Sequence, residues 1–208
     1  MKIAMIGHKR IPSREGGVEI VVEELATRMV EAGHEVHVYN RRGHHVSGKE
    51  NDNQSVGRLK EYKGIRMISI PTFHHKALNA VVYSFLATIR ALFGHYDVIH
   101  YHAEGPCAMI GIPHLFHIYT VATIHGLDWQ RSKWKGFATK FLLFGEKMAV
   151  KYADEIIVLS QNMQNYFKET YGRDTILIPN GIQKPEIKSD ERINQKWGLK
   201  KDSYILFL

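Results

Sequence analysis

The chain is short of the features that would pin it to a secreted, membrane-spanning or dinucleotide-binding class. One cysteine, Cys107, stands alone in 208 residues, so no internal disulfide can form and a reducing, cytosolic setting is expected. The apolar stretches are broken by charges or histidines well before the 18 or so residues that a membrane span needs, and no basic region precedes residues 1–7, so neither a transmembrane helix nor a signal peptide is expected. Gly-x-Gly-x-x-Gly does not follow the first apolar run, and neither does a phosphate loop ending in Gly-Lys-Ser/Thr. This disfavours a dehydrogenase, an epimerase or an ATPase. No nucleic-acid-binding motif appears, no internal repeat is found, and none of the thirteen histidines lies beyond His125.

What is present describes a globular α/β protein. Hydrophobic residues make up 44% and charged residues 24%, enough apolar material for a sizeable core. The length fits one large domain or one domain plus a fragment, at about 150 residues per domain. Lysine and arginine number 28 against 21 acids, and the net charge of +7 favours an anionic partner: nucleic acid, phosphorylated metabolite or anionic lipid. Residues 2–7 form a nearly continuous apolar run of the kind found in buried parallel strands. From Val18 to Val30 apolar residues recur at helical spacing, with Glu19, Glu23, Glu24, Arg28 and Glu31 opposite, and Gly33 closes the helix. Strands are predicted at 34–40, 65–71, 97–102, 120–125, 155–160 and 175–178, and residues 41–64 read as a loop with a minor hairpin. A long helix is predicted at 76–93 with Leu78, Val81, Val82, Phe85, Ile89 and Leu92 on one side. The alternation implies a Rossmann-like parallel sheet with helices on both faces. Residues 183–202 read as a linker with a short helix at 191–197, and 203–208 as the first strand of a further domain.

Ligands of such sheets bind beyond the carboxyl ends of the strands. After the first strand, Gly16-Gly17 can bring bare backbone N–H groups to a helix start, where the dipole favours an anion such as a diphosphate. His100 and His102 share a strand face, but no further ligands with sensible spacing accompany them, so no metal site is expected. His102 reads as a cleft residue or strand cap, with Glu104 just beyond. His125-Gly126-Leu127-Asp128-Trp129-Gln130-Arg131 places an imidazole, an acid, an indole and a guanidinium at one strand tip. Trp134, Phe137, Phe141, Phe144 and Met148 fall three or four apart among lysines. Such a stripe reads as core, with the Lys133 and Lys135 end free to touch an anionic membrane. Asn180-Gly181 follows the last strand beside the expected cleft and makes Asn180 a candidate ligand donor.

These pieces in this order, over about residues 1 to 182, resemble the N-terminal domain of the family 4 glycosyltransferases of two-Rossmann-domain (GT-B) architecture. The matching pieces are 2–7 with Gly16-Gly17 and Glu19, Ala32-Gly33-His34-Glu35-Val36, Asp97-Val98-Ile99-His100-Tyr101-His102, and His125-Gly126. Ala153-Asp154-Glu155-Ile156-Ile157-Val158-Leu159-Ser160 and Ile178-Pro179-Asn180-Gly181-Ile182 complete the series. The run Ile6-Gly7, Ile11-Pro12, Gly16-Gly17-Val18-Glu19 looks like the bacterial polysaccharide rhamnosyltransferase subgroup.

The resemblance implies transfer of a sugar from a nucleotide-sugar donor to a glycan or lipid-linked acceptor, without cofactor or metal, by a cytoplasmic protein that can contact the membrane peripherally. Gly16 and Gly17 would approach the donor diphosphate, His125 the transferred sugar as the catalytic residue, and Asn180 the donor at the domain junction. His102, Glu104, Asp128, Trp129 and Arg131 are the acceptor-side candidates, argued from position. The glutamate pair and basic residues of the second domain of such enzymes are absent from this sequence. The chain is therefore expected to be a truncated product or isolated domain without appreciable transferase activity alone. The alternative is a non-catalytic module of the same fold that binds a glycan or lipid-linked sugar.

Overall fold

The computed structural model describes residues 1–43, 59–72, 76–130, 136–182, 189, 191–200 and 202–205. In chain order the elements are β1 (Lys2–Ile6), α1 (Gly17–Glu31), β2 (Glu35–Arg42), β3 (Glu61–Tyr62), β4 (Ile65–Pro71), α2 (Lys76–Leu92), β5 (Val98–His102) and α3 (Glu104–Cys107). There follow α4 (Gly111–Leu115), β6 (Tyr119–Ile124), a 3-10 turn (Asp128–Gln130), α5 (Phe137–Tyr152), β7 (Glu155–Val158), α6 (Gln161–Tyr171), β8 (Ile176–Leu177) and α7 (Glu191–Trp197). The strands form one sheet in the order β3-β4-β2-β1-β5-β6-β7-β8, parallel throughout except for the β3–β4 hairpin. This is the Rossmann-like α/β fold of the sequence reading, with the minor hairpin at 61–66 where the loop was expected.

Strand alternation divides the core in two. Ile3, Met5, Val36 and Val38 point to one face, where Val22 and Ala26 of α1 cover them. Ala4, Ile6, Ile99, Tyr101, Ala122, Ile124, Ile156 and Val158 point to the other, under Tyr83, Ala87 and Ala91 of α2, Cys107 of α3, Ala149 of α5 and Phe167 of α6. From β1 the chain proceeds outward through β2 and β4, then returns to lay β5 on the opposite side of β1. That reversal opens a crevice at the carboxyl ends of β1 and β5. The two ends approach closely: Gly7 has φ +134°, and a Cβ there would lie 2.0 Å from the carbonyl oxygen of His102.

Three helices bury faces that their apolar patterns do not mark. On α1, Glu19 and Glu23 are buried rather than solvated: Glu19 accepts the Lys9 backbone N–H at 2.9 Å, and Glu23 accepts the Tyr62 hydroxyl and is paired with Lys63. On α2 the inward face is Asn79, Tyr83, Ser84, Ala87, Thr88 and Ala91, while Phe85 faces out. On α5, Leu142, Gly145, Glu146 and Ala149 face inward; of the predicted core stripe Phe137 and Phe144 are exposed, Phe141 is half-buried, Met148 packs against the core, and Trp134 lies outside the described residues. The physical reason is the same in α2 and α5. Close approach to the sheet or to α3 selects small residues, and a Cβ on Gly145 would lie 1.9 Å from the Glu104 carbonyl oxygen.

Ser160 caps α6 by accepting the Met163 N–H, and Gly172 ends it in the left-handed conformation. The short helix expected in the linker is α7. Of the expected terminal strand, Tyr204 and Ile205 have no strand conformation, and residues 206–208 lie outside the described residues. No described helix is long and apolar enough to cross a membrane.

Candidate functional site

His125 emerges directly from the carboxyl end of β6 and is half-buried. Its Nε2 lies 3.2 Å from Nδ1 of His102, the last residue of β5, so one imidazole donates its N–H to the bare nitrogen of the other. His102 in turn packs on His100, ring centroids 4.2 Å apart, and His100 is hydrogen-bonded to the Thr123 hydroxyl at 2.7 Å. His8, just beyond β1, is held by Asn40 at 2.9 Å. Burial lowers the affinity of all four rings for protons: His8 and His100 to about 4, His102 further, and His125 less because Asp128 and Glu19 pull the other way. The cluster is neutral at pH 7. Of the four rings only His125 is more than marginally exposed, so it alone can offer a ligand a hydrogen-bonding nitrogen rather than a fixed cation.

The N-terminus of α1 faces the same crevice. Gly16 is its capping residue, in extended conformation and without a side-chain cap. The Glu19 carboxylate folds back over it, where a Cβ on Gly16 would lie 2.1 Å from Glu Oε2, whereas Gly17 is open. Glu19 acts electrostatically on both His8 and His125, which ties this helix end to the histidine cluster.

Behind His125 the chain makes the 3-10 turn that carries Asp128 and Trp129, both half-buried. The Trp129 indole donates to Glu146 Oε2 of α5 at 3.1 Å. Glu146 Oε1 also accepts the Tyr166 hydroxyl at 2.8 Å and the Tyr171 hydroxyl, both from α6. Glu104 neighbours this carboxylate from α3; burial first, then Glu146 and Asp128, push its carboxyl up to about 9.

The expected site residues thus separate into three groups. His125, Asp128, Trp129 and the Gly16–Gly17 helix end converge on the crevice. His102 and Glu104, expected on the acceptor wall, are both 0% exposed, so neither presents an atom to a ligand; they stand behind His125 and the turn instead. Asn180 is exposed beyond β8, an edge strand separated from β6 by β7. Arg131, Lys133 and Lys135 lie outside the described residues. Glu146 was missed by sequence reading because a glutamate on a basic helix reads as surface; its one signal is the neighbouring Gly145 and Ala149, small residues at helical spacing from Leu142. Among the described residues no group of three or more His, Cys, Asp or Glu side chains is placed to hold a metal ion.

No curated protein sequence matches the chain. Solved structures with the same fold include sucrose-phosphate synthase from Thermosynechococcus elongatus, with TM-score 0.68 and 20% identity over 97% of this chain and 53% of that one. WaaG, a glycosyltransferase involved in lipopolysaccharide biosynthesis, follows with TM-score 0.64 and 15% identity over 97% of this chain and 52% of that one. Anabaena HepE in complex with UDP and glucose has TM-score 0.62 and 16% identity over 95% of this chain and 50% of that one. The chain spans about half the length of each of these structures, so the likeness covers one half of the GT-B architecture. The sequence model of Glycosyltransferase Family 4 matches residues 15–184, and the chain belongs to that family.

Proposed function

We propose that this chain is the acceptor-side domain of a glycosyltransferase that moves a hexosyl or rhamnosyl group from a nucleotide-sugar donor to a glycan or lipid-linked acceptor in bacterial cell-surface polysaccharide synthesis. The observation that carries the reading is His125, a neutral imidazole at a strand tip, backed by His102 and near the start of α1 at Gly16 and Gly17. In the reaction the bond between the anomeric carbon and the diphosphate oxygen breaks, and an acceptor hydroxyl oxygen bonds to that carbon and gives up its proton. Negative charge develops on the leaving diphosphate. The N–H groups at the start of α1, with Lys9 and Arg14 in the same loop, favour that charge, and no metal ion or cofactor is needed for it. His125 hydrogen-bonds the transferred sugar, and Asp128 and Trp129 meet the acceptor. The run from Ile6 to Glu19 supports the rhamnosyltransferase-like subgroup, and Asn180 would approach the donor from the edge of the sheet.

A peripheral membrane contact on the cytoplasmic side belongs to this reading. The outward faces of α2, α4 and α5 carry Phe85, Leu115, Phe116, Phe137 and Phe144 together with Arg90, Lys140, Lys147 and Lys151, and the single acid of these three helices, Glu146, is buried. Apolar and basic side chains without an exposed acid suit an anionic lipid surface, where a lipid-linked acceptor resides.

Transfer assays with a panel of nucleotide sugars test the function on the polypeptide that joins this chain to a donor-side domain. His125→Ala should lower kcat by two or more orders of magnitude, on the scale of lost transition-state contacts, with the circular dichroism spectrum unchanged. Near-normal turnover would remove His125 from the chemistry. Glycan binding without transfer by any donor would establish the non-catalytic module instead, and the 208-residue chain alone should show no transfer.

A further inference from the structure

Glu146 is completely buried, yet the groups that reach it are phenols and an indole rather than a lysine or arginine. Three donors on one carboxylate, from the turn after β6 and from α6, are what an ionised acid needs inside a protein. Glu104, equally buried, has no side-chain donor for either of its oxygens, and the Trp129 backbone N–H near it offsets only a little of the burial penalty. An acceptor-only carboxylate could not stay there; a protonated carboxyl can, with its O–H directed at Glu146. Gly145 lets α5 lie directly on the Glu104 backbone, so the two carboxyls are fixed by main-chain packing.

We propose that Glu146 is a positioning residue: as the ionised member of a one-proton pair with Glu104, it holds the Trp129 indole and thereby sets the place of the Asp128–Trp129 turn beside His125. The inference rests on the proposed function only in treating that turn as part of the acceptor site. The titratable groups facing the pair are Glu104 and Cys107 from α3, Asp128 from the turn, and Tyr166 and Tyr171 from α6. Burial drives the Cys107 thiol and Tyr171 well above their ordinary range and Tyr166 to about 12, so Glu104 is the first of these groups to change charge as the pH rises above neutral. Its ionisation would set two anions against each other and weaken the hold on Trp129.

The test is a proton–nitrogen NMR titration of the 208-residue chain from pH 7 to 10, with the Trp129 indole resonance identified by its loss in Trp129→Phe. The wild type should show that resonance moving with a midpoint near pH 9. In Glu104→Gln, which keeps a donor toward Glu146 but cannot ionise, the resonance should stay fixed over the same range. Glu146→Gln should shift it upfield at pH 7 by removing the charged acceptor. If that variant does not fold, Tyr166→Phe, which removes one donor from Glu146 and leaves the indole in place, should displace the same resonance. An indole resonance that is constant to pH 10 in the wild type, that titrates equally in Glu104→Gln, or that ignores both Glu146→Gln and Tyr166→Phe, would overturn the proposal. No turnover enters the measurement, so its failure leaves the transferase reading standing, and absence of transfer leaves the pair standing.

Discussion

Gly145 carries a constraint that its chemistry alone would not suggest. It lies in the middle of α5, where glycine costs about 1 kcal/mol relative to alanine, but any β-carbon would overlap the main chain of α3. Gly145→Ala should therefore lower the stability of the chain by about 1–3 kcal/mol or more in urea unfolding, the cost of overpacking, in place of the gain that helix propensity alone predicts. A stabilised variant would show that α5 can lift away from α3 freely. At this scale the sequence was partly legible. His125, Asp128 and Trp129 stand out because polar groups at a strand tip in a parallel sheet mark a crevice. His102 and Glu104 stand out for the same reason but are both fully buried, on either side of Ala103 with its positive φ of +74°. Glu146 was the hardest to read, because apart from the small residues Gly145 and Ala149 nothing local distinguishes a solvated glutamate from one met by three donors distant in sequence.

The helices show where periodicity ends as a guide. Strands were read nearly residue by residue, since parallel pairing demands apolar residues on both faces and β1, β5 and β6 supply them. In α2 and α5 small side chains share the inward face, Ser84, Ala87, Thr88 and Ala91 beside Tyr83 in α2 and Gly145 and Ala149 beside Leu142 in α5, while Phe85, Phe137 and Phe144 are exposed. The consequence for α5 is measurable. Leu142→Ala, on the inward face, should cost about 2–5 kcal/mol in urea unfolding, whereas Phe144→Ser, on the outer face, should cost about 0.5 kcal/mol or less. The same Phe144→Ser, and reversal of charge at Lys140 and Lys147, should weaken sedimentation with phosphatidylglycerol vesicles while leaving phosphatidylcholine vesicles unbound by all forms. Equal binding by wild type and variants would remove the membrane contact.

Across the whole molecule, proton linkage squeezes stability from both sides of neutrality. His8, His100, His102 and His125 bind protons less readily folded than unfolded, so their contribution is complete above pH 6.5 and is lost as the pH falls toward 4. Glu104 behaves oppositely. Its carboxyl is raised from 4.5 to about 9, so the folded state loses its advantage as the pH climbs between those values. The slope for one proton is at most about 1.4 kcal/mol per pH unit, and four histidines outweigh one glutamate on the acid side. Calorimetry should find the highest Tm near neutral pH, with a fall toward pH 4 and a shallower one toward pH 9. Glu104→Gln should flatten the alkaline limb and steepen the rise between pH 4.5 and 6.5; an alkaline limb unchanged in that variant would show that another group produces it.

The sheet's two borders are strands of two residues each, β3 at Glu61–Tyr62 and β8 at Ile176–Leu177. On the β8 side an incoming strand meets only a couple of backbone groups, too few to template fibre growth or domain exchange, whereas β3 pairs with only Ile65 and Arg66 and leaves residues 67–71 of β4 beyond its reach.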